Sequence, residues 1–160
     1  NKAASCFNRL VIIDPHILKN RSCSEGFINL IDHILHERKL SLYEKNEKPE
    51  LVVISQQDGL DGLNPHLYRE IKDKVIQWNE DYSLKSSIYN IISGNEGDIE
   101  EHDRFILFDD AYAIKFGTGC TFFANENDTS TDKYTSFSFG NPIQIKKRYK
   151  VLLDVSEKLN

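Results

Sequence analysis

Arg9-Leu10-Val11-Ile12-Ile13-Asp14, a short apolar run rich in β-branched residues and closed by Pro15, decides how this chain is read. A continuous run of that length reads as a strand buried on both faces, with Asp14 at its C-terminal end. Ser22-Cys23-Ser24-Glu25 follows with capping-box spacing. Phe27, Leu30, Ile31, Ile34 and Leu35 then recur at offsets of three and four, which makes an amphipathic helix. A polar connector from Glu44 to Pro49 leads to Leu51-Val52-Val53-Ile54, a second buried strand. Working outward, Asn64-Pro65 supplies an N-cap and a first-turn proline, and Leu67, Ile71, Val75 and Trp78 form the stripe of a second helix. Strands are expected at Ser87 to Ile92, Arg104 to Phe108, Tyr112 to Phe116 and Thr135 to Phe139, with a final helix over Gln144 to Leu159. Asp109-Asp110-Ala111 joins two of these strands as a hairpin connection, although it lacks the favoured Asn-Gly or Asp-Gly pair.

Strands alternating with amphipathic helices and ending in a hairpin predict an α/β sandwich with a mixed β-sheet flanked by helices. The 160 residues fit one domain, 1–160, with no internal repeat. The chain starts at Asn1 without an initiator Met or a signal-like segment, so the expectation is a part excised from a longer protein. No apolar run approaches the ~20 residues that span a bilayer. A net charge of -5 excludes a global field attracting nucleic acid or anionic lipid, so an anionic ligand must be held locally. Cys6, Cys23 and Cys120 are odd in number and lack CxxC spacing, fitting neither a disulfide framework nor a zinc site. They read as reduced thiols of a cytoplasmic protein.

Chemistry concentrates in His102-x-Arg104-x4-Asp109, followed by Gly117-Thr118-Gly119. Residues two apart on a strand share a face, so His102 and Arg104 are expected in one pocket. There an imidazole attacks phosphorus or protonates a leaving oxygen, a cation neutralises phosphate oxygens, and a carboxylate orients the ring. Glycines let backbone N–H groups approach an oxyanion. A solvated strand end carrying the same residues by chance is the plain alternative. Ligands of open α/β sheets gather beyond the carboxyl ends of strands, which puts Asp14, Ser55 and Gln56 nearby and adds His16 to the candidate cleft.

The spacing resembles the phospholipase D superfamily signature H-x-K-x4-D. The closest likeness is to the phospholipase-D-like domain that follows the MIT (microtubule-interacting and trafficking) domain, whose H-D-R-x-I-x-F-[DN]-N-G-W-x-I-K-I-G-R-G-L-D-x-F is matched without a gap from His102 through Arg104, Asp109, Lys115, Gly117, Thr118 and Gly119 to Phe123. That family's D-P-[YF]-I looks like Asp14-Pro15-His16-Ile17, and its S-x-G turn like Ser138-Phe139-Gly140. The family's Gly-Trp is replaced by Ala111-Tyr112, and the arginine of its G-R-G by Thr118. The resemblance implies a single phospholipase-D-like half-domain that binds a phosphorylated ligand without turnover. The ligand would be a phosphoinositide head group or a nucleic-acid phosphate, held by His102, Arg104, Asp109, Lys115, Gly117, Thr118 and Gly119. Two H-x-K half-sites meet in active members, so turnover by a phosphodiesterase or nuclease, with His102 as nucleophile and Asp109 as its partner, would need a homodimer. A rigid guanidinium at the lysine position favours bidentate phosphate binding instead. A protein-interaction domain with a vestigial site is a further alternative.

No cofactor and no metal is expected. His33 and His36 are three apart on the first helix beside Asp32 and Glu37, but no third ligand accompanies them. His66 reads as surface. Lys146, Lys147, Arg148 and Lys150 could offer a peripheral membrane contact, yet with Asp154 and Glu157 close by they read as the wet face of a helix. Expected partners are thus the phosphorylated ligand, a second copy of the chain and an N-terminal partner domain.

Overall fold

The computed structural model describes residues 7–39, 48–57, 63–92, 99, 103–124 and 137–160. In chain order the elements are β1 (Arg9–Ile13), α1 (Arg21–Lys39), β2 (Glu50–Gln57), α2 (Pro65–Asp81), β3 (Lys85–Ile92), β4 (Phe105–Phe108) and β5 (Tyr112–Phe116). A 3₁₀ turn (Gly119–Phe123), β6 (Phe137–Gly140), α3 (Pro142–Asp154) and β7 (Glu157–Lys158) complete them. Among the described residues the strands form one mixed seven-stranded sheet in the order β6-β5-β4-β1-β2-β3-β7. β1, β2 and β3 are parallel, and β4 returns antiparallel beside β1 with Ile13 opposite Phe105. The chain is thus a mixed α/β protein with three α-helices among the described residues.

Alternation along the strands sorts the core into two layers. Leu10, Ile12, Leu51, Val53, Ile88, Ile106 and Phe108 face α1 and α2, packing on Phe27, Ile31, Leu35, Ile71, Val75 and Trp78. Val11, Ile13, Val52, Ile54, Phe105 and Leu107 face the other way, onto Ile145, Tyr149 and Leu152 of α3. Both faces of β1 and β2 are therefore covered, which is why their sequences are apolar runs rather than alternations.

The sequence reading needs correction at the helix ends. α1 is capped by Asn20, whose Oδ1 accepts the Cys23 N–H at 3.0 Å, so Asn20 rather than Ser22 opens it. α3 begins at Pro142 behind the N-cap Asn141, which accepts from Ile143 and Gln144, and it stops at Asp154, leaving Glu157 and Lys158 to pair with β3. Asp109 and Asp110 both have positive φ, 49° and 58°, the geometry of a type I′ turn. The hairpin thus forms with two aspartates in backbone conformations that Gly or Asn adopt more easily. No described helix is long and apolar enough to cross a membrane.

Candidate functional site

Antiparallel pairing of β4 with β1 brings Arg104, just before β4, beside Asp14, just after β1, at the carboxyl edge of the parallel strands. Asp14 is fully buried. Its backbone N–H still donates to the Ile54 carbonyl at 3.1 Å, continuing the ladder and fixing where the side chain points. Oδ1 accepts the His16 N–H at 2.9 Å, a turn that Pro15 favours by holding its own φ. Oδ2 accepts the Cys120 N–H at 2.8 Å and the Cys23 thiol at 3.3 Å. One carboxylate therefore joins the end of β1, the first turn of α1 and the 3₁₀ turn after β5.

Ser55, also buried, pins the same loop. Its Oγ accepts the Leu18 N–H at 3.2 Å and faces the Pro15 carbonyl at 3.4 Å. Gln56 leaves the opposite face and accepts the Ile99 N–H at 2.7 Å. The two polar residues anticipated at the end of β2 lie at the expected edge, and their described bonds hold loops in place.

Gly119 has φ +64°, and a Cβ there would overlap the Asp14 carboxylate and the Arg104 stem. Only glycine lets the turn approach so closely. The oxyanion met by this turn's buried N–H is the protein's own, since the Cys120 amide is spent on Asp14. Gly117 and Thr118 are exposed. Arg104 is half-buried, with Nη1 donating to the Gly117 carbonyl at 2.7 Å, while its buried Nε has no hydrogen-bond partner among the described residues.

Not every expected residue joins this group. His102 lies outside the described residues. Asp109 sits at the other end of β4, roughly 17 Å from Arg104 for five steps of ~3.4 Å. There its Oδ1 accepts the backbone N–H groups of Asn8 and Arg9, each at 2.7 Å, fastening the hairpin tip to the start of β1. It lines a polar cleft of about 470 Å³ with Asn8, Arg9, Lys48 and Glu50, away from Arg104. Lys115 is the cross-strand partner of Phe105, and its Nζ lies 5.2 Å from that ring's centroid. Phe105 belongs to the α3 layer, so Lys115 leaves the face opposite Asp14 and Gly119. Asp109 and Lys115 thus lie apart from Arg104, the first by strand length and the second by strand parity. His16 remains beside Asp14, partly exposed.

No protein-family model matches the chain, and no curated protein does.

What sequence reasoning missed is the pairing of Cys23 with Cys120. Both are buried and free, and with Asp14 they place one sulfur or oxygen each within 4.8 Å of one another. Burial pushes the Cys120 thiol well up, and hydrogen bonding to Cys23 and the charge on Asp14 act in the same direction. α1 reaches the turn closely because Gly26 lacks a Cβ, which would overlap the Cys120 carbonyl. No spacing rule links these cysteines, which come from distant parts of the chain. A glycine in the second turn of α1, together with the glycines of Gly117-Thr118-Gly119, is the trace they leave in the sequence.

The remaining candidates are ordinary surface. His33 and His36 are exposed on α1, and Asp32 accepts the Trp78 Nε1–H at 2.6 Å and pairs with Lys74. The basic cluster is partly neutralised: Lys146 pairs with Asp110 at 2.7 Å and Arg148 with Asp103 at 2.9 Å. Burial would raise the Asp110 carboxyl, but hydrogen bonds from Lys146 and Arg9 and their charges outweigh it and hold the group below its ordinary value.

Proposed function

We propose that this chain is a non-catalytic, phospholipase-D-like module that binds a phosphorylated ligand at the carboxyl edge of its sheet, with Arg104 as the principal contact. The observation that carries the reading is the setting of Arg104. One of its N–H groups is fixed on Gly117, its stem packs on Gly119, and its buried Nε has no hydrogen-bond partner among the described residues. A guanidinium held by one hydrogen bond keeps a planar fork for an anion and loses little freedom on binding. The exposed Gly117 and Thr118 and the partly exposed His16 complete the mouth. Asp14 does not face the ligand; it holds the turn that carries them.

The shared chemistry is a phosphate group, supplied either by a phosphoinositide head group or by nucleic acid. Titration with a soluble head group and with a short oligonucleotide distinguishes the two sources. Arg104→Ala should weaken binding tenfold to a hundredfold, since a hydrogen bond to a charged group contributes about 1.5 to 3 kcal/mol. Joint neutralisation of Lys146 and Lys147 should change affinity little at physiological salt, where an exposed field is screened. Retained binding in Arg104→Ala with loss in the lysine variant would replace the pocket by an electrostatic surface. Phosphodiester hydrolysis that His102→Ala abolishes would replace binding by turnover, and failure of the parent to bind either ligand at millimolar concentration would favour a protein-interaction role.

A further inference from the structure

We infer that Asp14, Cys23 and Cys120 form a zinc site beneath the phosphate-site turn. The three donors come from the end of β1, the first turn of α1 and the 3₁₀ turn, and their ligating atoms lie within 4.8 Å of one another with all three residues buried. A tetrahedral zinc with Zn–S of ~2.3 Å and Zn–O of ~2.1 Å has ligand edges of about 3.6 to 3.8 Å. The Cys23 Sγ to Asp14 Oδ2 separation of 3.3 Å is within a few tenths of that edge. Two thiolates and a carboxylate suit a borderline-soft divalent cation and are a poor set for calcium or magnesium, which take oxygen donors. Three protein donors leave one tetrahedral position for an exogenous ligand.

The surroundings are built as metal sites are. The Asp14 oxygens are already oriented by the His16 and Cys120 amides, the outer hydrogen bonding that fixes a ligating carboxylate. Charge also balances. Zinc displaces one proton from each thiol, so a dication replaces two protons and the cluster keeps the single negative charge of the Asp14 carboxylate. Arg104, packed on the same glycine as Asp14, carries the matching positive charge before and after. Without a cation the thiol of Cys23 makes a weak, long hydrogen bond to Oδ2 in the same place. Zinc held here needs no phosphate ligand at the turn above it.

The full chain, produced with zinc in the medium and dialysed, should carry one zinc per chain by elemental mass spectrometry. Cys23→Ala and Cys120→Ala should each lose it. Cobalt(II) added to the chelator-treated parent should give thiolate-to-cobalt charge-transfer absorption in the near ultraviolet, and zinc should raise the parent's melting temperature in a concentration-dependent way. These two readouts on the parent decide the question even where an alanine variant does not fold. A parent that retains no zinc, shows no charge-transfer band and melts identically with zinc and with chelator overturns the site. So does a metal-free parent whose intact mass is lower by two hydrogens with Cys23 joined to Cys120, because the pair would then be a disulfide.

Discussion

Asp14→Ala tests the structural core of the site most directly. The substitution removes the acceptor for two backbone N–H groups and for one thiol. The Cys120 amide is buried and has no replacement partner, so its loss should lie at the upper end of the range for hydrogen bonds to a charge, about 3 kcal/mol. The His16 amide is only part-buried and can turn to water, which puts it near the lower end, about 1.5 kcal/mol. The thiol adds little. The sum, about 4 to 5 kcal/mol, is a large share of the 5 to 15 kcal/mol that usually holds a domain together. It corresponds to a fall in melting temperature of roughly 8 to 20 °C at 2 to 4 °C per kcal/mol for a chain of this size. Asp14→Asn keeps one acceptor oxygen and should lose about half as much. Differential scanning calorimetry in the presence of chelator measures both without a contribution from metal linkage. A fall below about 2 °C for Asp14→Ala, equivalent to 1 kcal/mol or less, would refute the claim that this carboxylate holds the three segments together.

Gly119→Ala should destabilise the chain by more than the ~1 to 2 kcal/mol cost of a left-handed backbone, because the new methyl also meets Asp14 and Arg104. The exposed Gly117→Ala, without a positive φ, is the matched control in a urea melt. Asp109→Ala should cost about 1 to 2 kcal/mol through the lost bonds to Asn8 and Arg9, yet leave phosphate affinity unchanged. Weakened binding in the folded variant would return Asp109 to the site. Asp110 has a folded-state pKa below its unfolded value, so the stability it adds is present above the ordinary carboxylate range and is lost as pH falls through the lower folded value. Stability measured from neutral to acid pH should therefore fall less steeply in Asp110→Asn than in the parent; identical slopes would show that its pairs with Arg9 and Lys146 add nothing.

The layered α/β architecture was legible because both faces of β1 and β2 are covered, and buried strands announce themselves as apolar runs. β4 was legible for the same reason, whereas β5 is exposed at Tyr112 and Lys115. The start of α3 was there to be read in Asn141-Pro142, which repeats the Asn64-Pro65 signal that placed α2, although the expected helix began only at Gln144. Its end was not, because Val155 and Leu159 keep helical spacing although the chain has already turned back to β3. For the site, the edge of the sheet was readable from Asp14, but membership was not. Lys115 and Arg104 are separated by strand parity, and Asp109 by the length of β4, which motif spacing alone does not weigh. The two cysteines met only through a closure of the chain that no local pattern records.

The hydrogen bond between Asp14 and Cys120 joins residues 106 positions apart. Closing a free loop of that length costs about 4 kcal/mol by the logarithmic law, as much as the carboxylate is expected to contribute in total. It therefore cannot start assembly. Once Ile13 has paired with Phe105, the remaining loop runs only from Phe105 to Cys120, and its closure costs about 2.4 kcal/mol. Chain statistics then favour one order of events: sheet first, glycine turn second. On that order Asp14 lies outside the folding nucleus, and its removal moves the unfolding arm of a chevron while leaving the refolding arm in place. The segment that presents Arg104's partner carbonyl consequently closes after the sheet, so ligand bound there would act chiefly by slowing the escape of the native state.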